Sequence, residues 1–444
     1  MAVRELLVHV GGKPVAVLES DDGFRHVCTY LSGTSPGGEI SLLMPVRRES
    51  YVYEKGIHPV FQMHLPEGFL LSVIQEQFGP IIGASSLSLL SVIGRNTIGR
   101  VQYTLPDQSL EGVEVPFDLQ SVLKGNNSEE AFAALVRRHA LSAVSGVVPK
   151  FIAPGKWPED LGTTSFRTSE YIIKGSSSRI PYVALNEHLC MEVARRAGMR
   201  TATTFLSDDG HALAVKRFDI EKDGTRLGFE DFCGLLLLTP PQKYETTWER
   251  LVARLKAVVP SPQKEKALDD IADVLLLTYA LRNADCHAKN VGLLYRSVDQ
   301  IGLAPIYDML TTTVYDEYRH NPPGLSIGGR KVWAPGKTLE VFINARLGIP
   351  SARLRQKVER IGAAILEVVP ILLEKIDRYQ EFREIGKRML LQWNDGMNSL
   401  KLHKAWRLPD LAATIKTAGF SDPRKPKKAP AIGRSELIGR RGAI

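Results

Sequence analysis

Cysteine is scarce in this 444-residue chain, and the four present (Cys28, Cys190, Cys233, Cys286) form no C-x-x-C pair. That excludes a disulfide framework and a zinc knuckle, and it suits a reducing compartment. Long apolar runs are missing too. No stretch reaches the ~18 residues that a membrane span needs, and the N-terminus shows no signal-peptide core. A cytoplasmic protein with no membrane partner is expected. Neither G-x-x-x-x-G-K-[ST] nor G-x-G-x-x-G occurs, so the Walker A and dinucleotide-binding fingerprints are absent. No repeat of roughly 20–50 residues is visible. What remains is an ordinary globular composition, 44% hydrophobic and 24% charged. The chain is too long for one core, so two or three packed units are expected.

Basic charge is concentrated rather than general. The last 24 residues hold seven Lys/Arg against Asp422 and Glu436, a net +5 of the chain's +8. With prolines at 423, 426 and 430, residues 421–444 read as a disordered basic tail. Such a tail suits nucleic acid or an acidic partner, and equally a role in solubility alone.

The pattern along the chain changes twice. Up to about residue 105 it reads as strands with one or two helices: Leu6–Val10 and Pro14–Leu18 flank Gly11-Gly12, Phe24–Tyr30 and Ile40–Met44 follow, Phe69–Phe78 is helical, and Arg100–Leu105 is a strand. Residues 112–127 read as a linker. A helix near Ser128–His139, a strand at Ser169–Lys174, a helix at Tyr182–Ala197 and a hairpin across Asp208-Asp209-Gly210 come next. Helical stretches then dominate: Glu230–Leu238, Thr247–Val258, Lys264 to about Asn283, Ser351–Tyr379 and Phe382–Trp393. Val291–Tyr295 and Gly302–Pro305 form a small hairpin among them. The fold class expected is α+β: a bilobal, protein-kinase-like fold with a β-rich N-terminal subdomain and a helical C-terminal lobe. The expected divisions are residues 1–125, 126–420 and 421–444.

The densest chemistry lies in Asn283-Ala284-Asp285-Cys286-His287-Ala288-Lys289-Asn290, with Asp308 eighteen residues after Asn290. Asn and Asp favour turns and helix ends, so punctuation is the bland reading. Against it, five functional side chains fall within eight residues, and a further carboxylate returns after the hairpin. An Asp and an Asn five positions apart, plus a second Asp, are the parts of phosphoryl transfer: one carboxylate takes the acceptor's proton, while an amide and a carboxylate hold Mg2+ near the phosphates of ATP. A transition-metal site is a poor alternative, since no second His or Cys stands three or four positions from Cys286 or His287.

Lys174 ends an apolar strand, where a solvated edge charge is the ordinary reading and a phosphate contact the functional one. Glu187 on the next helix is either its partner or a surface glutamate. Val215-Lys216-Arg217-Phe218-Asp219 falls where a kinase hinge would hold adenine. The loop Ser145-Gly146-Val147-Val148-Pro149-Lys150 offers backbone N–H groups and a lysine to phosphate, and taken alone is equally an ordinary turn.

Together these residues resemble the HipA family of serine/threonine kinase toxins from bacterial type II toxin–antitoxin modules. The resemblance also takes in Leu65-Pro66-Glu67-Gly68, the segment from Val92 to Gly99, Glu230-Asp231-Phe232-Cys233 and Lys243-Tyr244-Glu245. It implies that Asp285 is the catalytic base and that Asn290 and Asp308 hold magnesium. It implies that Ser145, Gly146, Val147, Val148, Lys150, Lys174, Lys216, Phe218, His287, Lys289, Asn290, Tyr307 and Asp308 surround the nucleotide. It implies ATP and Mg2+ as cofactors, a helix-turn-helix (HipB-like) antitoxin that carries the complex to operator DNA, and a protein substrate such as an aminoacyl-tRNA synthetase. The family's phosphate loop places its autophosphorylated serine where this chain has Ala143, which leaves Ser142 and Ser145 as the candidates. Val148 also stands where glutamine is common. Two other functions remain open from the residues: a small-molecule kinase using the same loop, and a non-catalytic corepressor.

Overall fold

The computed structural model describes residues 3–21, 24–83, 85–110, 117–142, 164–406 and 408–417. The chain opens as a hairpin of β1 (Glu5–Val10) and β2 (Lys13–Ser20). Gly11 and Gly12 turn it with positive φ, 57° and 80°, which only glycine adopts without cost. β3 (His26–Tyr30), β4 (Tyr51–Tyr53) and β5 (Val101–Thr104) complete an antiparallel sheet in the order β4-β3-β2-β1-β5. Alternation buries Leu6, Val8, Ala16 and Leu18 completely. Helices α1 (Pro59–Gln62) and α3 (Ser86–Ile93) add Phe61, Leu87 and Leu90 to that core, while α2 (Gly68–Ile82) carries Val73 into the next one.

After α4 (Leu119–Leu123) and α5 (Glu129–Ser142) comes a second antiparallel sheet. It contains β6 (Thr164–Arg167), β7 (Tyr171–Gly175), β8 (Thr204–Leu206) and β9 (Ala212–Lys216), in the order β6-β7-β9-β8. Alternation along β9 sends Ala212 and Ala214 toward Phe132 of α5, and Leu213 and Val215 into the large core shared with α6 (Val183–Arg196). The region expected to be a linker is tied down where it is described, since the Asn127 backbone N–H donates to Asp209 at 2.7 Å.

A third sheet, β10 (Gly228–Asp231), β11 (Gly292–Ser297) and β12 (Gln300–Leu303), sits beside the helical lobe. That lobe comprises α7 (Phe232–Leu235), α8 (Trp248–Val258), α9 (Ser261–Ala280), α10 (Lys337–Leu347), α11 (Ser351–Arg378), α12 (Arg383–Ser399) and α13 (Ala412–Thr417). Trp248, Tyr279 and Trp393 are all but fully buried in its core. The whole is the α+β, kinase-like arrangement expected.

Three local expectations need correction. Glu230 and Asp231 do not start a helix; they end β10, paired with β11, and Asp231 then caps α7 by accepting from the Gly234 N–H at 2.8 Å. Ile40–Met44 is no strand but a turn closed by a Ser41–Met44 bridge. Its Ser41 hydroxyl and Leu42 N–H donate to the buried Glu230 carboxylate, at 2.6 and 2.7 Å, instead of to a neighbouring strand. The second hairpin strand runs Gln300–Leu303 and so stops short of Pro305, which has no N–H to give. The basic stretch 421–444 lies outside the described residues.

Candidate active site

β7 aims Lys174 at α6. Its neighbour Ile173 is fully buried on the opposite face, and Lys174 pairs in register with Leu213, which faces α6. The Lys174 ammonium donates to both oxygens of Glu187, at 2.7 and 2.9 Å, and also to Asp308. Glu187 is buried mid-helix, where an unpaired carboxylate would be strongly disfavoured, so its cation is needed.

Asp308 arrives by a different route. After β12 the chain crosses to Thr201–Ala202, where Ile306 bridges Thr201 and its carbonyl accepts from the Ala202 N–H at 2.9 Å. Asp308 itself has φ 52°, a conformation uncommon outside glycine, though aspartate tolerates it better than most, and its restraints help to hold it. One such restraint is Asn283, whose Nδ2 donates to the Asp308 carbonyl at 3.3 Å.

The loop after α9 is knitted from its own side chains. Asn283, fully buried, accepts the Asp285 N–H at 3.0 Å through Oδ1. The Ala284 N–H donates to Thr312 Oγ1 at 2.6 Å. Ala288–Asn290 then makes one 3-10 turn, and Asn290 Nδ2 reaches back to the Asp285 carbonyl at 2.8 Å. With its N–H end committed there, the Asn290 amide presents its oxygen as the free ligand end, and no donor reaches that oxygen among the described residues.

The Asp285 carboxylate accepts a hydrogen bond from the Tyr244 hydroxyl, and its side chain keeps 42% exposure. Dense packing around it raises its pKa; the Tyr244 hydrogen bond and the charges of Lys243 and Lys174 oppose that rise without cancelling it. The carboxylate is thereby a stronger proton acceptor than one in water. His287 Nε2 lies 3.7 Å from Asp285 Oδ1, but burial, with Lys243 and Lys289 nearby, pushes the imidazole down to about 3. His287 is therefore neutral near pH 7, and the pair is not an ion pair. Its ring packs edge-on against Tyr244, centroids 4.8 Å apart.

An aromatic group lies alongside. Tyr307 donates from its hydroxyl to the Lys289 carbonyl at 2.8 Å, and its ring packs at a tilt against Phe218 at 5.6 Å and edge-on against Phe229 at 6.0 Å. Two buried residues beside Phe218, Arg217 and Asp219, turn to the N-terminal unit: Asp219 accepts the Gly99 N–H at 2.7 Å, and Arg217 donates to the Thr97 carbonyl at 2.7 Å and to Asn96 Oδ1 at 2.5 Å.

The structure thus gathers Lys174, Asp308, Asp285, His287, Lys289, Asn290, Tyr307 and Phe218 along one connected set of contacts, with Asn283 bridging the halves. Lys216 is not gathered: it is exposed at the end of β9, with no side-chain hydrogen bond or ion pair among the described residues. Ser142 is the last residue of α5, and Ala143, Ser145, Gly146, Val147, Val148 and Lys150 lie outside the described residues. Sequence reasoning missed Tyr244 as a site residue, although Lys243-Tyr244-Glu245 had stood out as a motif. It also missed Glu67, which accepts from the Lys289 ammonium at 2.6 Å. An amide oxygen and a carboxylate are the hard ligands that Mg2+ prefers, so Asn290 and Asp308 fit it. Among the described residues no three His, Cys, Asp or Glu side chains gather as a metal cage.

Comparison with known proteins converges with this geometry. Residues 6–104 match the HipA N-terminal domain, and residues 142–369 match the HipA-like C-terminal domain. Among curated relatives, "Putative kinase Y4dM" of Sinorhizobium fredii is 28% identical over 286 residues, covering 60% of this chain and 64% of that protein. The match therefore spans just under two thirds of that relative's length. "Putative kinase Y4mE" of the same organism is 27% identical over 346 residues, covering 71% and 79%. Among solved structures, HipA of Shewanella oneidensis MR-1, determined with HipB and its operator DNA, superposes with a TM-score of 0.65. That match covers 89% of this chain and 96% of that one at 18% identity, a likeness of fold. With both domain matches in chain order and the C-terminal one covering half of its length, the chain belongs to the HipA family.

Proposed function

We propose that this protein is an ATP-dependent serine/threonine kinase, the toxin of a type II toxin–antitoxin module. One observation carries the reading: Asn283 joins the Asp285–Asn290 loop to Asp308, and Asp308 in turn meets Lys174, whose ammonium also donates to Glu187. A proton acceptor, two hard oxygen ligands and a phosphate-binding cation thus belong to one network. ATP is the source of the γ-phosphoryl group, and Mg2+, when bound, would offset the charge on the oxygens around it. Asp285 takes the proton from the acceptor hydroxyl as that oxygen bonds to phosphorus and the bond to ADP breaks. Asn290 and Asp308 would hold the metal. Lys174, oriented by Glu187, meets the phosphates. Neutral His287 braces Tyr244, and Phe218 with Tyr307 offers an apolar surface beside the hinge for the base.

The partners follow from the family. The Shewanella relative was solved with HipB and operator DNA, and by the same logic this chain takes a helix-turn-helix antitoxin that neutralises it and brings it to DNA. Its substrate is a translation-related protein such as an aminoacyl-tRNA synthetase, and it works in the cytoplasm. Among the described residues no helix is long and apolar enough to cross a membrane.

The test is phosphate transfer from labelled ATP to proteins of a cell lysate. Asp285→Ala is expected to lower labelling at least ~1,000-fold while melting like the wild type. Undiminished labelling by the variant would sink the assignment. Label appearing only in small molecules would move it to a small-molecule kinase.

A further inference from the structure

Among the described residues, three side-chain hydrogen bonds restrain the catalytic turn Ala288–Asn290, and they differ in origin. Asn290 Nδ2 on the Asp285 carbonyl and the Tyr307 hydroxyl on the Lys289 carbonyl both come from the lobe that contains the turn. The third, Glu67 Oε1 on the Lys289 ammonium at 2.6 Å, comes from the N-terminal unit, 222 residues away. Glu67 directly precedes α2 in the Leu65-Pro66-Glu67-Gly68 segment.

The delivery of Glu67 to that place is built, not incidental. α1 packs on α7, and α7 packs on the catalytic turn. The approach is close: a Cβ on Gly234 of α7 would stand 3.4 Å from the Met63 sulfur and 3.8 Å from the Pro59 carbonyl oxygen. Two further seams hold the units in the same register, Ser41 and Leu42 on Glu230, and Asn96–Gly99 on Arg217 and Asp219. The Glu67 carboxyl reports the contact. Desolvation pushes its pKa up, but the charge and hydrogen bond of Lys289, with Lys243 behind, leave it below the ordinary value. The Glu67 side chain is nonetheless 48% exposed, and an ion pair of that kind adds little to stability. Its effect is geometric: it fixes the direction of Lys289, the neighbour of Asn290.

We infer that Glu67 is a positioning residue through which the docked N-terminal unit holds the catalytic loop in its working conformation. The inference rests on the kinase reading of that loop. It makes the N-terminal unit part of the catalytic apparatus, so that anything lifting the unit away lowers turnover.

Full-length wild type, Glu67→Ala and Glu67→Gln are compared in two measurements. Amide hydrogen exchange over residues 285–291 reads loop order whether or not the protein transfers phosphate. Steady-state phosphate transfer reads kcat and the KM for ATP. Glu67→Ala is expected to speed exchange in the loop without moving Tm by more than about 2 °C, and to lower kcat roughly tenfold or more with KM changed less than about twofold. Glu67→Gln, which keeps an acceptor oxygen, should recover part of both effects. Unchanged exchange in Glu67→Ala overturns the inference, and so does a kcat that is equal or higher, which would mean that Glu67 restrains Lys289 from phosphate. A wild type that transfers no phosphate while Glu67→Ala still loosens the loop leaves the positioning role standing and overturns the kinase reading instead.

Discussion

Lys174 and Lys289 both end on carboxylates, yet the two contacts are built on different terms. Lys174 is 12% exposed and pairs with Glu187 at 4% and Asp308 at 34%, partners supplied by the same unit. Lys289 is 17% exposed, but its partner Glu67 is 48% exposed and belongs to the other unit. Where both charges are buried, as in Lys174 and Glu187, the carboxylate depends on its cation, and breaking the pair strands a charge in a poor dielectric. Where one partner stands in water, separation is cheap in energy and expensive only in geometry. The first contact is part of the fold; the second is a place where docking is read out as catalytic order.

Of the two lysine contacts, the larger expected effect is on the buried side. Lys174→Met leaves Glu187 buried without its cation, which should cost about 3 kcal/mol of stability, at the low end for a buried pair because Asp308 can turn to solvent. Phosphate transfer should fall at least ~100-fold. Urea unfolding and labelled-ATP assays check both, and a variant as stable as the wild type would erase the contrast between the two lysines. Gly99→Ala probes the seam between units. Gly99 has φ 88°, and an added Cβ would meet the Phe229 backbone nitrogen at 3.2 Å. A stability loss of about 1–3 kcal/mol is expected, read as a lower urea midpoint, with faster exchange at Arg217–Asp219. An unshifted midpoint would mean that the seam yields easily. The smallest effect is expected from Tyr244→Phe, which removes only the hydroxyl on Asp285 and should lower kcat several-fold, a loss of about 1 kcal/mol. A loss as large as that of Asp285→Ala would promote Tyr244 from an orienting group to a reacting one.

Much of this was legible locally. The hairpin at Gly11-Gly12 and the helices near α6, α8, α9, α11 and α12 follow from turn chemistry and periodicity, and their ends fall within a few residues of expectation except that α12 runs on from Trp393 to Ser399. Glu187 as the partner of Lys174 was legible as one of two readings, and burial decided between them. The segment at 230–238 misled because its apolar residues fit a helix and a strand end equally well. Only pairing of Gly228–Asp231 with Leu293 and its neighbours breaks that tie. Ile40–Met44 misled in the same way, since its Leu42 N–H is spent on a carboxylate 188 residues away.

By itself the sequence determined which groups the site can contain. Asp285, His287, Lys289 and Asn290 occupy one short loop, and a hairpin of fixed length returns Asp308, so their association is a matter of chain connectivity. The tertiary structure alone decided which distant groups act on them. Tyr244 reaches Asp285 across 41 residues, Lys174 reaches Asp308 across 134, and Glu67 reaches Lys289 across 222. No local pattern encodes such pairs, because each depends on how separately folded elements pack, and packing is set by the summed burial of residues that never touch the site.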